Sequence, residues 1–133
     1  MQAKRLNIRT TQAMQFINID RQLNEIIRES GVQDGLCVIF VPHTTAAVTV
    51  NENADPDVVR DLTKEINKIV PFNDSYSHAE GNSAAHIKSS MIGPSITLVI
   101  ENGRLVYGTW QSLYFCEFDG PRSRSCIVKV CPD

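Results

Sequence analysis

The sequence predicts an α+β fold built mainly on antiparallel sheet, with about eight strands and two or three helices. Three observations carry that expectation. Short β-rich runs follow one another across tight turns. Only two or three stretches carry helical spacing. No regular strand–helix–strand alternation, the mark of a parallel sheet, runs through the chain. At 133 residues the chain has the length of one domain, residues 1–133.

Leu6 and Ile8 alternate with Arg5, Asn7 and Arg9, which predicts an opening strand. A second short strand is expected at Phe16–Ile19. Asp20 then reads as the cap of a helix carrying Leu23, Ile26 and Ile27 on one face, closed by Ser30-Gly31. Leu36–Val41 is a continuous apolar run and reads as a buried strand. Extended structure resumes over Thr44–Val50. Asp55-Pro56 is a cap followed by proline at the first helical position, and Val59, Leu62, Ile66 and Ile69 follow at helical spacing up to Pro71. Phe72–Ala85 is polar and without period. Loops of that length in a compact domain are commonly functional or disordered. A short helix over Ser83–Met91, capped by Asn82, is expected next. Ser95–Glu101 and Arg104–Tyr107 flank Asn102-Gly103, a strong hairpin sequence. Extended structure is expected to run past Gly108 through Phe118. Gly120-Pro121-Arg122 turns the chain, and Ser125–Cys131 forms the last strand.

Composition narrows function. Lys and Arg number 13 against 15 Asp and Glu, a net charge of −2. A near-neutral chain lacks the basic face that general nucleic-acid binding demands. The apolar runs are too short for a membrane helix, and the start is not that of a secretory signal. A cytoplasmic location with reduced thiols is therefore expected, and the four cysteines show no CxxC pair. They read as small core or strand residues.

No generic phosphate loop, dinucleotide fingerprint, zinc-protease helix or nucleophile elbow occurs. Candidate chemistry is confined to clusters. His43, His78 and His86 all fall at element ends or in the polar loop. Three imidazoles with one open position suit zinc or a similar ion, or they serve as acid and base groups. They equally read as unrelated surface histidines. A helix start with Asn82 and Ser83, followed by Lys88 and Ser89, offers donors for a phosphate, or is simply a capped surface helix. Glu117, Asp119, Arg122 and Arg124 offer carboxylates for Mg²⁺ and guanidinium forks for a diphosphate, or form salt bridges at a turn. The single tryptophan sits in Gly108-Thr109-Trp110-Gln111, as a stacking platform or a core or subunit contact.

These segments occur together in one family. His43-Thr44-Thr45-Ala46-Ala47, Asn51 to Pro56, His78 to Ser90, Gly93-Pro94-Ser95, Glu101 to Leu105, Gly108-Thr109-Trp110-Gln111 and Phe115 to Arg122 appear in this order in the YjbQ-like family, also called secondary thiamine-phosphate synthases. The resemblance covers nearly the whole chain. It implies antiparallel sheets packed around a three-fold axis as a homotrimer, and a weak thiamine-phosphate synthase activity. The positions it carries over are His43, Glu52, Asn53, His78, Glu80, Asn82, His86, Lys88, Thr109, Trp110, Gln111, Glu117, Asp119 and Arg122.

That reaction joins hydroxymethylpyrimidine diphosphate to thiazole phosphate and expels pyrophosphate, so departing negative charge must be stabilised. On this expectation His43, His78, His86 and Glu80 are catalytic. Asn82, Lys88, Ser89, Trp110, Gln111, Glu117, Asp119 and Arg122 bind the phosphorylated small-molecule substrate. A divalent ion sits at the histidines, zinc-like, or enters as Mg²⁺ with a diphosphate. The alternatives are a non-catalytic homotrimer that binds a metal or ligand, and a metal-dependent hydrolase of a small phosphorylated metabolite.

Overall fold

The computed structural model describes residues 2–133. Its elements run β1 (Lys4–Arg9), β2 (Gln15–Asn18), α1 (Asp20–Ser30), β3 (Gly35–Phe40), β4 (Ala46–Glu52), α2 (Pro56–Ile69), α3 (Ser83–Ile92), β5 (Ser95–Glu101), β6 (Arg104–Leu105), β7 (Gln111–Glu117) and β8 (Ser123–Pro132). Three helices and eight strands match the expected class. The strands form two sheets, one in the order β1-β8-β3-β5-β6 and one in the order β2-β7-β4, and every pairing is antiparallel.

The main core lies between the sheets. Ile39, Ile100 and Val128 of the larger sheet meet Val48, Leu113 and Phe115 of the smaller one, and Ile19, Leu23 and Ile27 pack against them from α1. The smaller sheet is buried on its other face too. There Ala47, Tyr114, Cys116 and Phe118 pack with Ala85 of α3. β7 is thus covered on both faces, which explains why Ser112 to Glu117 is buried without alternation.

The larger sheet is not so treated. Leu36–Val41 was expected to be buried throughout, yet in β3 only alternate residues point inward. Cys37 and Ile39 are inaccessible, while Leu36 and Phe40 are each 43% exposed, Leu36 beside the exposed Val99 of β5. An apolar run does not reveal how many of its faces are covered; the neighbouring layer decides that.

Several terminations differ from expectation for identifiable reasons. Asp20 is the first residue of α1 and does not cap it. Its Oδ1 accepts instead from the Tyr107 hydroxyl (2.7 Å) and the Leu113 amide (3.0 Å), tying α1 to β7. Asn82 likewise makes no capping bond to α3. Asp55 does cap α2, accepting from the Asp57 amide at 2.9 Å. β4 starts at Ala46, two residues after Thr44, because the Thr45 carbonyl is taken by the Phe118 amide and the Arg124 guanidinium. β6 stops at Leu105. Beyond it, Gly108-Thr109-Trp110 is a turn, closed by Gln111 N–H to the Gly108 carbonyl (3.1 Å) and Gly108 N–H to Gln111 Oε1 (2.7 Å). The expected unbroken extension through this segment is absent. The cysteines are all free, with Cys37, Cys116 and Cys126 buried and Cys131 partly so. No helix of the described residues is long and apolar enough to cross a membrane.

Candidate active site at the end of the smaller sheet

Four pieces of chain meet where β4 begins and β7 ends. The β3–β4 connection brings Pro42, His43, Thr44 and Thr45. The polar loop brings His78 and Glu80. The start of α3 adds Asn82 and His86. The β7–β8 turn adds Asp119 and Arg122, with Arg124 behind them. Together they line a cleft of about 460 Å³.

The floor is an ion pair. Glu117 is inaccessible, and its carboxylate is saturated. Oε1 accepts from the Thr10 hydroxyl (2.7 Å) and Arg124 Nε (2.9 Å), while Oε2 accepts from the Asp119 amide (3.0 Å) and Arg124 Nη2 (2.5 Å). Arg124 Nη2 also donates to Thr45 Oγ1 at 2.8 Å. Burial by itself raises the Glu117 pKa. The Arg124 bonds, then Thr10 and the Asp119 amide, outweigh it and hold the carboxyl below the ordinary glutamate range. A carboxylate so occupied has no lone pair left for Mg²⁺ or substrate. The expected binding role of Glu117 is corrected to a structural one.

Above this floor, His78 and His86 stand edge to face with ring centroids 5.4 Å apart. His43 is held differently. The backbone amide of Ser125 donates to its Nε2 at 3.0 Å. Burial first, then the Arg124 charge, lower the His43 pKa, outweighing the Ser125 backbone contact and the Glu117 charge, which pull the other way. Arg122 is half exposed and is steered by Asp119. Its Nε donates to the Asp119 carbonyl (2.7 Å) and its Nη2 to Asp119 Oδ2 (2.9 Å). The same Oδ2 accepts from Asn82 Nδ2 at 2.9 Å, and Asn82 Oδ1 is buried without a partner. The first turn of α3 therefore opens on the cleft with no side-chain cap.

The cleft thus gathers His43, His78, His86, Glu80, Asn82, Asp119 and Arg122 from the expected set. It leaves out four. Lys88 is buried, and its amine donates to Asn67 of α2; burial lowers its pKa. Ser89 donates to the Ala46 carbonyl at 2.7 Å. Trp110 and Gln111 sit at the opposite end of β7, roughly 20 Å away within the protomer at about 3.4 Å per residue. Glu52 and Asn53 lie at that far end as well, where the Glu52 carbonyl and Asn53 Oδ1 both accept from the Tyr114 hydroxyl.

Arg124, read from sequence only as one of two guanidinium forks or a salt-bridge partner at a turn, is instead the buried partner of Glu117, and Thr45 was not singled out. Parity along β8 could have found that buried place of Arg124. Residues 124, 126, 128 and 130 all face inward, so an arginine in that register demands a buried anion. Nothing local marks Thr45.

For a divalent ion, the residues fit in part. An imidazole whose Nε2 accepts an amide proton carries its own proton on Nδ1 and has no free lone pair for a metal, so His43 does not complete a three-histidine set in this arrangement. Among the described residues no three His, Cys, Asp or Glu side chains stand at ligand spacing.

Comparison with known proteins agrees with this fold. Residues 4–133 match the model of a family described as UPF0047 protein YjbQ-like. The chain is 48% identical over 128 residues to the UPF0047 protein YugU of Bacillus subtilis, covering 96% of this chain and 97% of that one. A UPF0047 protein of Methanocaldococcus jannaschii is 47% identical over 126 residues, covering 95% and 91%. Among solved structures, an uncharacterized YjbQ/UPF0047 protein of Clostridium acetobutylicum superposes with a TM-score of 0.94 at 50% identity over 96% of this chain and 99% of that one. A protein of unknown function from Sulfolobus solfataricus gives the same TM-score at 29% identity, covering 99% and 97%. By sequence and by fold, this chain belongs to the YjbQ/UPF0047 family.

Proposed function

We propose that the cleft is the active site of a cytoplasmic enzyme acting on a small phosphorylated metabolite, and that its reaction is the coupling of hydroxymethylpyrimidine diphosphate with thiazole phosphate. One observation carries the reading: three imidazoles, the Arg122 fork and the uncapped first turn of α3 converge on one cleft. Bond formation to the thiazole nitrogen breaks the carbon–oxygen bond to the diphosphate, and the charge leaves with pyrophosphate. Arg122 and the α3 amides are donors for that charge. His78 and His86 are the candidate general acid and base by chemical type.

The test is coupling of the two precursors by the purified chain, read as thiamine phosphate formed and pyrophosphate released. His86→Ala is expected to abolish most turnover. Arg122→Ala removes a charge-assisted hydrogen bond of about 1.5–3 kcal/mol, a weakening of roughly tenfold to a hundredfold in diphosphate binding. Full turnover in both variants overturns the proposal.

A second reading is favoured by the His78–His86 pair. Two imidazoles sharing one tetrahedral ion at about 2.0–2.1 Å have ring centres roughly 5 Å apart, close to the 5.4 Å observed. Here the protein is a metal-dependent hydrolase or a metal-binding homotrimer, with His78, His86 and Glu80 as donors. Elemental analysis of untagged protein is expected to find about one divalent ion per chain on this reading, and a chelator would remove activity together with the ion. The homotrimer is supported by the open apolar face of β3 and β5 and by α2, which buries none of its residues. Sedimentation equilibrium is expected to return three times the 14.8 kDa chain mass.

A further inference from the structure

We infer that His43 works as a fixed neutral donor, with its proton on Nδ1, and is neither the proton acceptor nor a metal ligand of the cleft. The tautomer follows from the fold alone; the donor's role rests on the reading that the cleft holds a phosphorylated ligand.

The argument starts from β8. Ser125 pairs with Asn7 of β1, so its amide is placed by strand register and not by loop geometry. That amide donates to His43 Nε2 at 3.0 Å. A backbone N–H can only donate, so the ring atom facing it must be the bare nitrogen, and a neutral imidazole then carries hydrogen at Nδ1. A proton on Nε2 would set two N–H groups head to head.

The surroundings favour the same state. Arg124, adjacent to Ser125 on β8, and Arg5 of β1 both oppose a positive ring. Glu117 of β7 is the facing carboxylate that favours one. Arg124 Nη2 and Nε already engage Glu117, so that carboxylate's charge is largely answered before it reaches His43. His78, His86, Glu80, Asp119 and Arg122 face the ring across the cleft. Arg5 also donates to Ser125 Oγ at 3.0 Å, which fixes the residue that holds the ring. With Nε2 spent on the sheet, Nδ1–H is the ring's remaining polar group for the cleft. A neutral N–H suits a phosphate or diphosphate oxygen, and it cannot compete for the proton that His78 or His86 would move. The three histidines thus divide into a pair and a fixed donor.

The experiment uses the full chain labelled with ¹⁵N at histidine, in long-range ¹H–¹⁵N correlation spectra at neutral pH. Expected for His43 is a protonated Nδ1 and a bare Nε2. A proton on Nε2, or on both nitrogens, overturns the assignment. Inorganic pyrophosphate is then titrated in. A shift of the His43 Nδ1–H signal supports the donor role. No shift at His43, with shifts at Arg122, overturns that role. No shift at either residue refutes the ligand reading and leaves the tautomer standing as its own result. As a second measure, His43→Gln keeps an acceptor for Ser125 but lacks the Nδ1 donor and is expected to weaken pyrophosphate binding about tenfold. His43→Asn returns an N–H near Nδ1 and is expected to recover most of that loss. Recovery by Gln and not by Asn contradicts the inference.

Discussion

The two ends of β7 carry sequences of similar promise and have opposite physics. At the Glu117 end a carboxylate is inaccessible, saturated by Thr10, Arg124 and the Asp119 amide, and roofed by the histidine cleft. At the other end Trp110 is 62% exposed in a two-residue turn, and its carbonyl accepts from Asn53. A polar motif residue can be foundation, and an aromatic motif residue can be surface. The difference lies in how other elements arrive at each end: four segments converge on one to line a cleft, whereas at the other the end of β4 meets the Trp110 turn through the Asn53 amide.

Replacing Glu117 with alanine breaks the comparison most sharply. Arg124 would stay buried beside Thr45 without its anion, and removing one member of a buried pair costs about 3–5 kcal/mol. Urea unfolding is expected to show that loss at pH 7. The carboxyl is held below its unfolded value of about 4.3. Its contribution is therefore present above that value and is lost as pH falls through the folded value. The wild type and Glu117→Ala should converge in acid. A variant of full stability at pH 7 would show that the floor is not structural.

Next in size is Gly120→Ala, at the turn that carries Asp119 and Arg122. A Cβ there would stand 2.2 Å from the Gln12 carbonyl oxygen and 2.8 Å from Glu117 Cγ. Backbone cannot yield as a flexible side chain does, so a loss of about 1–3 kcal/mol is expected by thermal unfolding. Unaltered stability would mean the turn has room that the geometry denies.

Lys88→Met tests whether the other buried charge resembles Glu117. Lys88 has Asn67 as its partner and no carboxylate. Replacement is expected to stabilise by about 1 kcal/mol at pH 7, since the cost of burying an ammonium exceeds one hydrogen bond. The sign follows from the lowered pKa: the unfolded chain binds the proton more readily, so wild-type stability rises with pH toward the unfolded value of about 10.4. The advantage of Lys88→Met should shrink over that range. A destabilised variant would reveal an anionic partner for the amine.

Trp110→Ala should have the smallest effect, within about 0.5 kcal/mol in dilute urea unfolding. A larger loss that grows with protein concentration would show that this end is covered in an assembly.

Much of the fold was legible because its signals are local. The Asp55-Pro56 start, the left-handed Gly31 that ends α1 and the Asn102-Gly103 hairpin depend on neighbours a few residues away. The same logic failed at Asp20 and Asn82. Both have the right type and position for a cap, yet their side chains serve Tyr107, Leu113 and Asp119, which lie far along the chain. The site was legible in part for the same reason. His43, His78, His86, Asn82, Asp119 and Arg122 were marked by residue type and by loop or element-end position. Lys88 and Ser89 share a segment with His86 but face α2 and β4, because a helix separates its neighbours by about 100° per residue.

Sequence alone determined the α+β class, the order of the elements, the charge balance and the residue types available for chemistry. Those follow from periodicity and composition, which need no knowledge of distant contacts. The tertiary structure alone decided which face of β3 is open, that Glu117 is sealed under Arg124, and that the Ser125 amide claims one nitrogen of His43. The last two join groups 7 and 82 residues apart, and only the packing of the two sheets brings such groups within a hydrogen bond of one another.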